Sequence, residues 1–387
     1  MSNDVIVVGG GVVGLSAALA MHYRGLSVVL IDAGKLSVSP SEVSPRVYAI
    51  NRASQRLLQQ LNVWDRLAKQ RLSPYQHMHV WDAVKGAHID FDARMIACDR
   101  LGSIIDDANL RHALLEEIAT QPIQLLPEST VTAVDVGPEA VEVHAGPHRL
   151  SAKLMIVADG ALSATRELLN VPLTQWPYHQ HALVATVQTE KNHQHTADQI
   201  FTPDGPLAFL PLADEHHCSI VWSSAPHLTQ HRMMLAEEEF NQQVTTAFQA
   251  KLGQTTLISK RHSFPLHMRH VKQYCGTRWL LMGDAAHTIH PLAGLGLNVG
   301  LADLAAWLCL LGDDNRRLCS NKTLGAYQRQ RKYAVWQTIA LMEGFKAMFL
   351  NPLPPIAALR GFGLTMCNQL TPLKRLFIEH ATGCNQI

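Results

Sequence analysis

Three segments of the chain combine glycine with aspartate in the manner of loops that bind phosphates and sugar hydroxyls. Residues 9–14 read G-x-G-x-x-G, a spacing that lets a pyrophosphate approach the backbone closely. Asp159 with Gly160, and Gly283 with Asp284, place a carboxylate, an acceptor for hydroxyl groups, beside a residue without a side chain. A single ligand that contacts all three segments must be long, so the sequence predicts a dinucleotide.

The first segment lies between two predicted strands and opens a predicted helix. Residues 5–8 and 28–31 are continuous apolar runs, typical of parallel strands buried on both faces. Residues 12–23 between them have helical character. Asp32 follows the second strand, 18 residues after Gly14, where a carboxylate can accept hydrogen bonds from ribose. This context predicts an adenine dinucleotide without separating NAD from FAD, and an NAD dehydrogenase is the default interpretation at this point.

The other two segments also follow predicted strands. Residues 152–169 repeat the strand–turn–helix pattern around Asp159, and residues 278–287 return to a buried strand before Asp284. Residues 291–311 are predicted as the helix that follows. FAD is long enough to touch all three turns, whereas NAD alone does not need the third. The sequence therefore favours FAD.

Between these segments the composition changes. Residues 184–265 are β-rich, with one predicted helix near residues 236–252, which indicates a separate substrate domain. The tail is helical in pattern except for a Pro-rich break at residues 351–355. The predicted fold is α/β: a Rossmann-like FAD-binding domain (residues 1–75, 100–183 and 276–323), an inserted β-rich substrate domain (residues 76–99 and 184–275) and a C-terminal helical region (residues 324–387).

Composition narrows the class of protein. A net charge of +1 removes a global electrostatic argument for nucleic acid. Seven cysteines without a C-x-x-C pair suit free thiols in a reducing compartment. The N-terminal sequence lacks a signal-peptide pattern, and no window reaches the roughly 18 apolar residues of a membrane span. We expect a cytoplasmic protein. With only 17% charged residues, a homo-oligomer and a peripheral contact at the inner membrane stay open.

The 21 histidines do not predict a metal site. Residues 179–181 and 193–195 both read HQH, and His216 and His217 are adjacent, yet none of these has a cysteine or carboxylate partner at ligand spacing. We interpret them as solvated loop residues and expect no metal.

The motifs resemble those of a known family. The three segments are similar to the fingerprint, the "DG" motif and the "GD" motif of single-component FAD-dependent aromatic hydroxylases. HPLAGLGLNVGLAD (residues 290–303) and LAFLPLA with SIVWS (residues 207–213 and 219–223) resemble the ubiquinone-biosynthesis hydroxylase branch. The resemblance implies FAD, NAD(P)H as a transient reductant, O2, and hydroxylation of a prenylated phenol or quinone precursor through a flavin C4a-hydroperoxide. In such chemistry the cofactor carries the difficult step, and the protein positions and shields it.

Matched residue by residue, the resemblance also implies cofactor contacts. No catalytic side chain is implied; the backbone of Leu295 and Gly296 is expected at the flavin edge, where it can stabilise negative charge. The implied cofactor-binding residues are Gly9, Gly11, Val12, Val13, Gly14, Asp32, Ala33, Arg46, Val131, Asp159, Gly160, Gly283, Asp284, Pro291, Gly294, Gly296, Leu297 and Asn298.

The substrate side is less defined. Phe209, Pro211, Trp222 and Pro291 are candidate substrate-facing residues, although the first three equally suit the core of a β-sheet. Two other functions stay open: a hydroxylase of a small soluble phenol, and a non-catalytic flavin-binding subunit of a quinone-biosynthesis complex. The apolar character of residues 184–265 favours a prenylated substrate over a charged one.

The sequence departs from the family pattern at three places, of which Leu295 and Ala302 motivate the non-catalytic alternative. Leu295 stands where the family usually has glutamine, and Ala302 where it often has arginine. Asp107 and Ala108 replace an Asn-Arg pair at the start of a predicted helix. None of the three lies in the fingerprint.

Residues 345–366 near the C-terminus predict a contact with a membrane or a partner. They combine apolar residues with Lys346 and Arg360, a composition that suits binding at an interface. Packing over the flavin domain explains the same composition equally well.

Overall fold

The computed structural model describes residues 2–39, 41, 43–83, 87–289, 294 and 296–349. Pro291, Leu295 and the part of residues 345–366 beyond Phe349 lie outside the described residues, so what was predicted for them stays a prediction.

The described residues form strands and helices with the following bounds. In chain order the strands are β1 (Ser2–Val8), β2 (Val28–Ile31), β3 (Val47–Asn51), β4 (Leu72–Tyr75), β5 (His77–Asp82), β6 (His88–Asp92), β7 (Gly102–Asp106), β8 (Gln124–Leu126), β9 (Val131–Val136), β10 (Val141–Ala145), β11 (His148–Val157), β12 (Leu173–Thr189), β13 (Thr196–Thr202), β14 (Gly205–Pro211), β15 (His217–Ser224), β16 (Thr255–Leu257), β17 (His262–Val271), β18 (Cys275–Gly276), β19 (Trp279–Leu281) and β20 (His287–Thr288). The helices are α1 (Val12–Tyr23), α2 (Arg52–Gln60), α3 (Asp107–Ala119), α4 (Ala164–Leu168), α5 (Pro226–Met234), α6 (Glu237–Ala247), α7 (Gly296–Leu311) and α8 (Asn321–Phe349).

The first sheet carries the predicted nucleotide fold. Its strands β19, β11, β1, β2 and β8 are neighbours in that order and run parallel, while β18 pairs antiparallel with β19 at one edge. Continuous apolar runs form the central strands because helices and strands cover both faces; residues 5–7 of β1 have no exposed surface. Strand β2 and helix α1 have the predicted bounds. The hairpin of β9 and β10 pairs with β11 at the side.

The second sheet is formed mainly by the later part of the chain. Its order is β20-β17-β12-β15-β14-β13-β5-β6, with β16 beside β12. Strands β5 and β6, which come from residues 77–92, join it through a parallel pairing of β5 with β13. The predicted boundary between residues 183 and 184 falls inside β12, a 17-residue strand with an irregularity between Pro177 and His181.

The prediction of one helix in the β-rich segment is wrong. Two helices, α5 and α6, follow β15 in succession. Pro226 occupies the first turn of α5, where a missing N–H costs nothing, and this was the available signal for a helix start. Phe240 and Val244 of α6 are buried against the second sheet.

A small third sheet lies between the two large ones. Strand β7 pairs antiparallel with β3 on one side and β4 on the other. Ala49 and Ile104 from this sheet form an apolar cluster against which Leu210 and Leu212 of the second sheet pack. The long helix α8 packs against α7 and the first sheet through Tyr327, which is fully buried.

No helix among the described residues is both long enough and apolar enough to cross a membrane.

Candidate functional site

The three predicted turns lie together at one edge of the first sheet. Strands β1, β11 and β19 are adjacent and parallel, so their carboxyl ends meet at the same edge. The Ala158 N–H donates to Val8 O at 2.7 Å, and the Met282 N–H donates to Val157 O at 2.9 Å. These bonds bring the turns at residues 9–14, 159–160 and 283–284 side by side.

The glycines of the first turn serve two different needs. A Cβ on Gly9 would lie 2.3 Å from Ala158 O, and one on Gly14 would lie 1.9 Å from Gly9 O, so the chain itself leaves no room for side chains there. Gly9 also has a φ of +111°, which disfavours other residues. A Cβ on Gly11, by contrast, would meet no described atom within 4 Å. Gly11 therefore faces open space of the kind a bound phosphate needs.

Helix α1 begins at this open space. Its N-cap is Gly11, which makes no side-chain capping bond, and its first turn contains no acidic residue. The free N–H groups and the positive end of the helix dipole therefore suit a pyrophosphate. Val12 is buried behind the turn, and half-buried Val13 packs towards Gly283.

Asp32 is held at the end of β2 by the backbone around it. Its carboxylate accepts the N–H of Gly10 and, at 2.8 Å, that of Gly34. The Ser129 N–H donates to Asp32 O at 2.8 Å, which brings the segment before buried Val131 beside Asp32. Ala33, next along the chain, is exposed at this edge. The Asp32 side chain is thus held in place but stays half-exposed, so its carboxylate can accept further hydrogen bonds.

Asp159 has one carboxylate oxygen that the described residues leave without a hydrogen bond. Its Oδ2 accepts the Thr165 N–H at 3.1 Å, while the buried Oδ1 has no partner among the described residues. Gly160 beside it has a φ of +88°, and a Cβ there would meet no described atom within 4 Å. An unpaired buried acceptor beside open space fits a ligand that donates a hydroxyl or amide hydrogen.

Arg166 links this turn to the next one. Its buried guanidinium donates from Nη1 to Ala285 O at 3.0 Å and to Ala161 O at 3.3 Å. Burial lowers the pKa of Arg166, and the nearby Asp159 acts in the opposite direction. Arg166 was not recognised from the sequence as a functional residue. An arginine so soon after Asp159 and Gly160 was the available signal.

Asp284 faces a cluster of charged and aromatic side chains. Burial lowers the pKa of the Arg46 guanidinium, but nearby Tyr48, Asp284 and Asp107 offset this and raise it. The guanidinium lies 5.1 Å from the centre of the Tyr48 ring, and Tyr48 Oη donates to Asp107 Oδ1 at 2.6 Å. Asp107, one of the departures from the family pattern, therefore acts on the charge of the Arg46 guanidinium together with Asp284.

Gly294 and Gly296 differ in what surrounds them. Gly294 has a φ of +63°, and a Cβ there would lie 3.0 Å from Ala49 Cβ, so the fold itself requires glycine. This need for glycine is separate from the cofactor-binding role that the family resemblance implies for Gly294. Gly296 begins α7, its φ lies outside the left-handed region, and a Cβ there would meet no described atom within 4 Å.

Asn298 ties this loop to the third sheet. Its Nδ2 donates to Ala49 O at 2.7 Å, and its Oδ1 accepts the Asn51 N–H at 2.9 Å. Both ends of the buried amide therefore bind backbone groups of the third sheet. Asn298 contributes to a cofactor site by holding the start of α7 in place. Leu297 beside it is half-buried against the core of the first sheet.

Comparison with known proteins decides the family. The sequence pattern of the family described as "FAD binding domain" matches residues 2–341 of the 387. The chain belongs to the FAD binding domain family. FAD, favoured by the three turns, is confirmed as its cofactor.

The chain is similar over most of its length to relatives that have functional names. It is 33% identical over 361 residues to the "3-demethoxyubiquinol 3-hydroxylase" of Escherichia coli (strain K12), with 92% of each chain covered. It is 31% identical over 412 residues to the "Ubiquinone biosynthesis monooxygenase COQ6, mitochondrial" of Xenopus tropicalis, with 92% of this chain and 88% of that one covered. The predicted membership in the FAD-dependent aromatic hydroxylases, among relatives named for ubiquinone biosynthesis, is confirmed.

A solved structure shares the fold. The p-nitrophenol 4-monooxygenase PnpA from Pseudomonas putida DLL-E4 matches with a TM-score of 0.80 at 19% identity, covering 98% of this chain and 97% of that one. The predicted α/β fold of the aromatic hydroxylase type is thereby confirmed.

FAD fits the residues that surround the three turns. Open space lies beside Gly11, Gly160 and Gly296, and the buried Asp159 Oδ1, next to Gly160 in the chain, is an acceptor without a partner among the described residues. We propose that the ADP half lies against α1 and Asp32, and that the rest of FAD passes Asp159 and Asp284.

The candidate substrate-facing residues need correction. Phe209 is fully buried and stacks on Phe248 with 3.6 Å between the ring centres, in the core between the second sheet and α6. Trp222 belongs to the same core and lies under the Arg232 guanidinium. Pro211 pairs with Cys218 of that core. All three share the sheet face that α6 covers, because side chains alternate along a strand.

The interpretation of the histidines as solvated loop residues is wrong for four of them: His179 and His181 lie in β12, His217 lies in β15, and His193 is buried. His193 is 2% exposed, and its Nε2 lies 3.1 Å from both Leu212 O and Asp214 O. His179 and His195 are exposed as expected. His193 therefore secures a loop of the second sheet.

Loss of either aspartate should weaken FAD binding. Asp32→Ala or Asp284→Ala removes an acceptor for ribose or ribityl hydroxyls, which should cost roughly 1–3 kcal/mol, or about 5- to 150-fold in Kd. Titration of the apoprotein with FAD, followed by flavin fluorescence, measures the change. Glu117→Gln is the control, because buried Glu117 binds Tyr23 at the far end of α1, about 18 Å away. Unchanged Kd in both aspartate variants would contradict the assignment.

Proposed function

We propose that this chain hydroxylates the aromatic ring of a polyprenylated phenol or quinone precursor in ubiquinone biosynthesis, with NAD(P)H and O2 as co-substrates. The observation that carries the proposal is near-full-length similarity to two relatives whose names place them in that biosynthesis. The joined turns of the FAD-binding sheet support it, since all three cofactor motifs are brought to one edge.

Bound FAD supplies the redox chemistry and the activation of O2. The chain's own contribution, in this proposal, is binding, orientation and exclusion of water. The N–H groups at the start of α1 neutralise the pyrophosphate, and the carboxylates of Asp32, Asp159 and Asp284 accept hydrogen bonds from hydroxyls along the cofactor. The start of α7 at Gly296 would hold the flavin ring through backbone N–H groups and the positive end of the helix. A negative charge there is stabilised by about 0.3–2 kcal/mol.

The second sheet is the proposed substrate domain, and its face opposite α6 carries apolar residues together with Ser219 and Ser223. Leu207 pairs with Trp222 and Phe209 with Ile220 on the α6 face, so Leu210 and Val221 point the opposite way. Half-buried Leu210 packs on the cluster that contains Ala49, the residue in contact with Gly294. An apolar surface beside the flavin loop supports a lipophilic substrate.

Product analysis tests the proposed reaction. Purified protein loaded with FAD is incubated with NAD(P)H, O2 and a prenylated phenol, and the products are identified by mass spectrometry. We expect a product heavier by one oxygen atom, and consumption of NAD(P)H that the phenol stimulates. Hydroxylation only of short, soluble phenols would instead support the second enzymatic alternative. Formation of H2O2 alone with every phenol would contradict the proposal.

Leu210 and its neighbour Phe209 allow a matched test of the substrate face. Leu210→Gln places an amide among apolar groups, so kcat/KM for a prenylated phenol should fall by roughly tenfold, and by less for an unprenylated one. Phe209→Leu should lower the melting temperature, because Phe209 fills the core under α6, without changing the ratio of the two kcat/KM values. Equal ratios in both variants would show that Leu210 does not face the substrate.

A further inference from the structure

A buried carboxylate on α7 lies directly behind the turn that carries Asp284. Asp303 has no exposed surface. Its Oδ2 accepts the Gly283 N–H at 2.9 Å and lies 2.7 Å from His287 Nε2, while its Oδ1 accepts Arg331 Nε–H at 2.6 Å. The two carboxylate oxygens of Asp303 therefore bind groups from three different elements.

Arg331 keeps this carboxylate charged. Burial raises the pKa of Asp303, but His287 and Arg331 outweigh burial and hold it below its ordinary value. Arg331 is itself buried on α8, and its Nη2 also donates to Val299 O at 3.2 Å. Ala302, which precedes Asp303, is uncharged. The arginine that pairs with Asp303 in this chain therefore comes from α8.

The bond to Gly283 fixes the conformation of the turn. Gly283 has a φ of +60°, and a Cβ there would lie 3.2 Å from Val13 Cγ2, so the turn packs directly on α1. A backbone N–H whose direction is set by a buried charge cannot rotate freely. The direction in which Asp284 leaves the turn is consequently coupled to Asp303.

Helix α8 anchors the same region at two further points. Tyr327 Oη donates to Leu281 O at 2.8 Å, at the end of β19, and the Tyr274 N–H donates to Gln328 Oε1 at 2.9 Å. One face of α8 thus contacts the strand before the turn, the turn's buried carboxylate and the start of the adjoining hairpin.

We propose that Asp303 and Arg331 are positioning residues that set the Gly283–Asp284 turn for FAD, so that helix α8 is part of the cofactor site without touching the cofactor. This rests on the proposed role of Asp284 in binding FAD. The pair acts through the backbone of Gly283, and its loss should weaken FAD binding by more than any loss of fold stability explains.

The test separates positioning from stability with a double variant. Asp303→Leu with Arg331→Met replaces the buried ion pair by apolar groups, which is often neutral for stability, but leaves the Gly283 N–H without its acceptor. We expect the apoprotein to melt a few degrees below wild type, because the buried Gly283 N–H and His287 lose their acceptor, and the Kd for FAD to rise by about tenfold or more. The gap between holo and apo melting temperatures should shrink accordingly.

Two further variants make each outcome informative. Asp303→Asn combined with Arg331→Met keeps the shape and an acceptor for Gly283 without leaving a buried charge unpaired, so it should fold even if the first double variant does not, with a smaller rise in Kd and a shifted absorption spectrum of bound FAD. Glu117→Gln breaks the pair between buried Glu117 and exposed Arg66 and should lower apo melting without changing Kd. Either double variant, if folded and showing wild-type Kd and spectrum, would overturn the proposal. An unchanged Kd in Asp284→Ala would instead remove the assignment on which it rests, and product analysis of wild-type protein is independent of both.

Discussion

Gly296→Val should abolish hydroxylation while the protein stays folded and retains the ADP half of FAD. The chain leaves open space at Gly296, and the backbone there does not have a positive φ, so valine is compatible with the apoprotein. With FAD bound, the two added methyl groups occupy space that we propose the flavin ring needs. Displacement of the ring by about 1 Å is enough to reduce turnover about 100-fold or more.

Gly294→Val is the matched control for this prediction. Its Cβ would approach Ala49 Cβ at 3.0 Å, and its φ of +63° is strained for valine, so the apoprotein itself should melt at a lower temperature. Product analysis, FAD titration and thermal melting of both apoproteins separate the two cases. Wild-type turnover by Gly296→Val would show that the ring does not lie beside α7.

The cofactor-binding sheet was predictable because its signals are local. A G-x-G-x-x-G turn between two continuous apolar runs leaves few alternatives, since a parallel strand buried on both faces must be apolar throughout. The bounds of α1 and β2 follow from that pattern. The carboxyl ends of parallel strands share one edge, so the meeting of Asp159 and Asp284 with the first turn was also predictable.

The faces of the second sheet were not predictable in the same way. Alternation along β14 shows that Phe209 and Leu210 point to opposite sides, but it does not show which side a helix covers. The larger residue was taken for a pocket wall, and α6 covers it instead. Recognition of α5 and α6 as two consecutive helices after β15 would have indicated which face needed apolar cover.

The residue that pairs with Asp303 could not be predicted from the sequence, for a different reason. An aspartate between Leu301 and Leu304, both buried, signals a charge held inside the fold. Its cation lies 28 positions later on α8, and only tertiary packing brings Arg331 within reach. Sequence can show that such a carboxylate needs a partner, while the choice between the two arginines of α8, Arg329 and Arg331, depends on helix orientation.

Gly11→Val should yield a folded, colourless protein. The open space at Gly11 and its ordinary φ of −77° allow a side chain without a clash in the apoprotein. In the holoprotein that side chain would separate the pyrophosphate from the N–H groups of α1. Loss of two such charge-assisted bonds costs about 3–6 kcal/mol, or about 10²- to 10⁴-fold in Kd.

Gly14→Val distinguishes this effect from a general failure to fold. A Cβ on Gly14 would lie 1.9 Å from Gly9 O, so α1 could not pack on β1 and the apoprotein should be strongly destabilised. FAD titration with thermal melting of both variants therefore gives opposite patterns: Gly11→Val loses the cofactor but keeps the fold, and Gly14→Val loses both. Tight FAD binding by Gly11→Val would mean that the pyrophosphate lies elsewhere, because no rearrangement of the chain is needed to admit that valine.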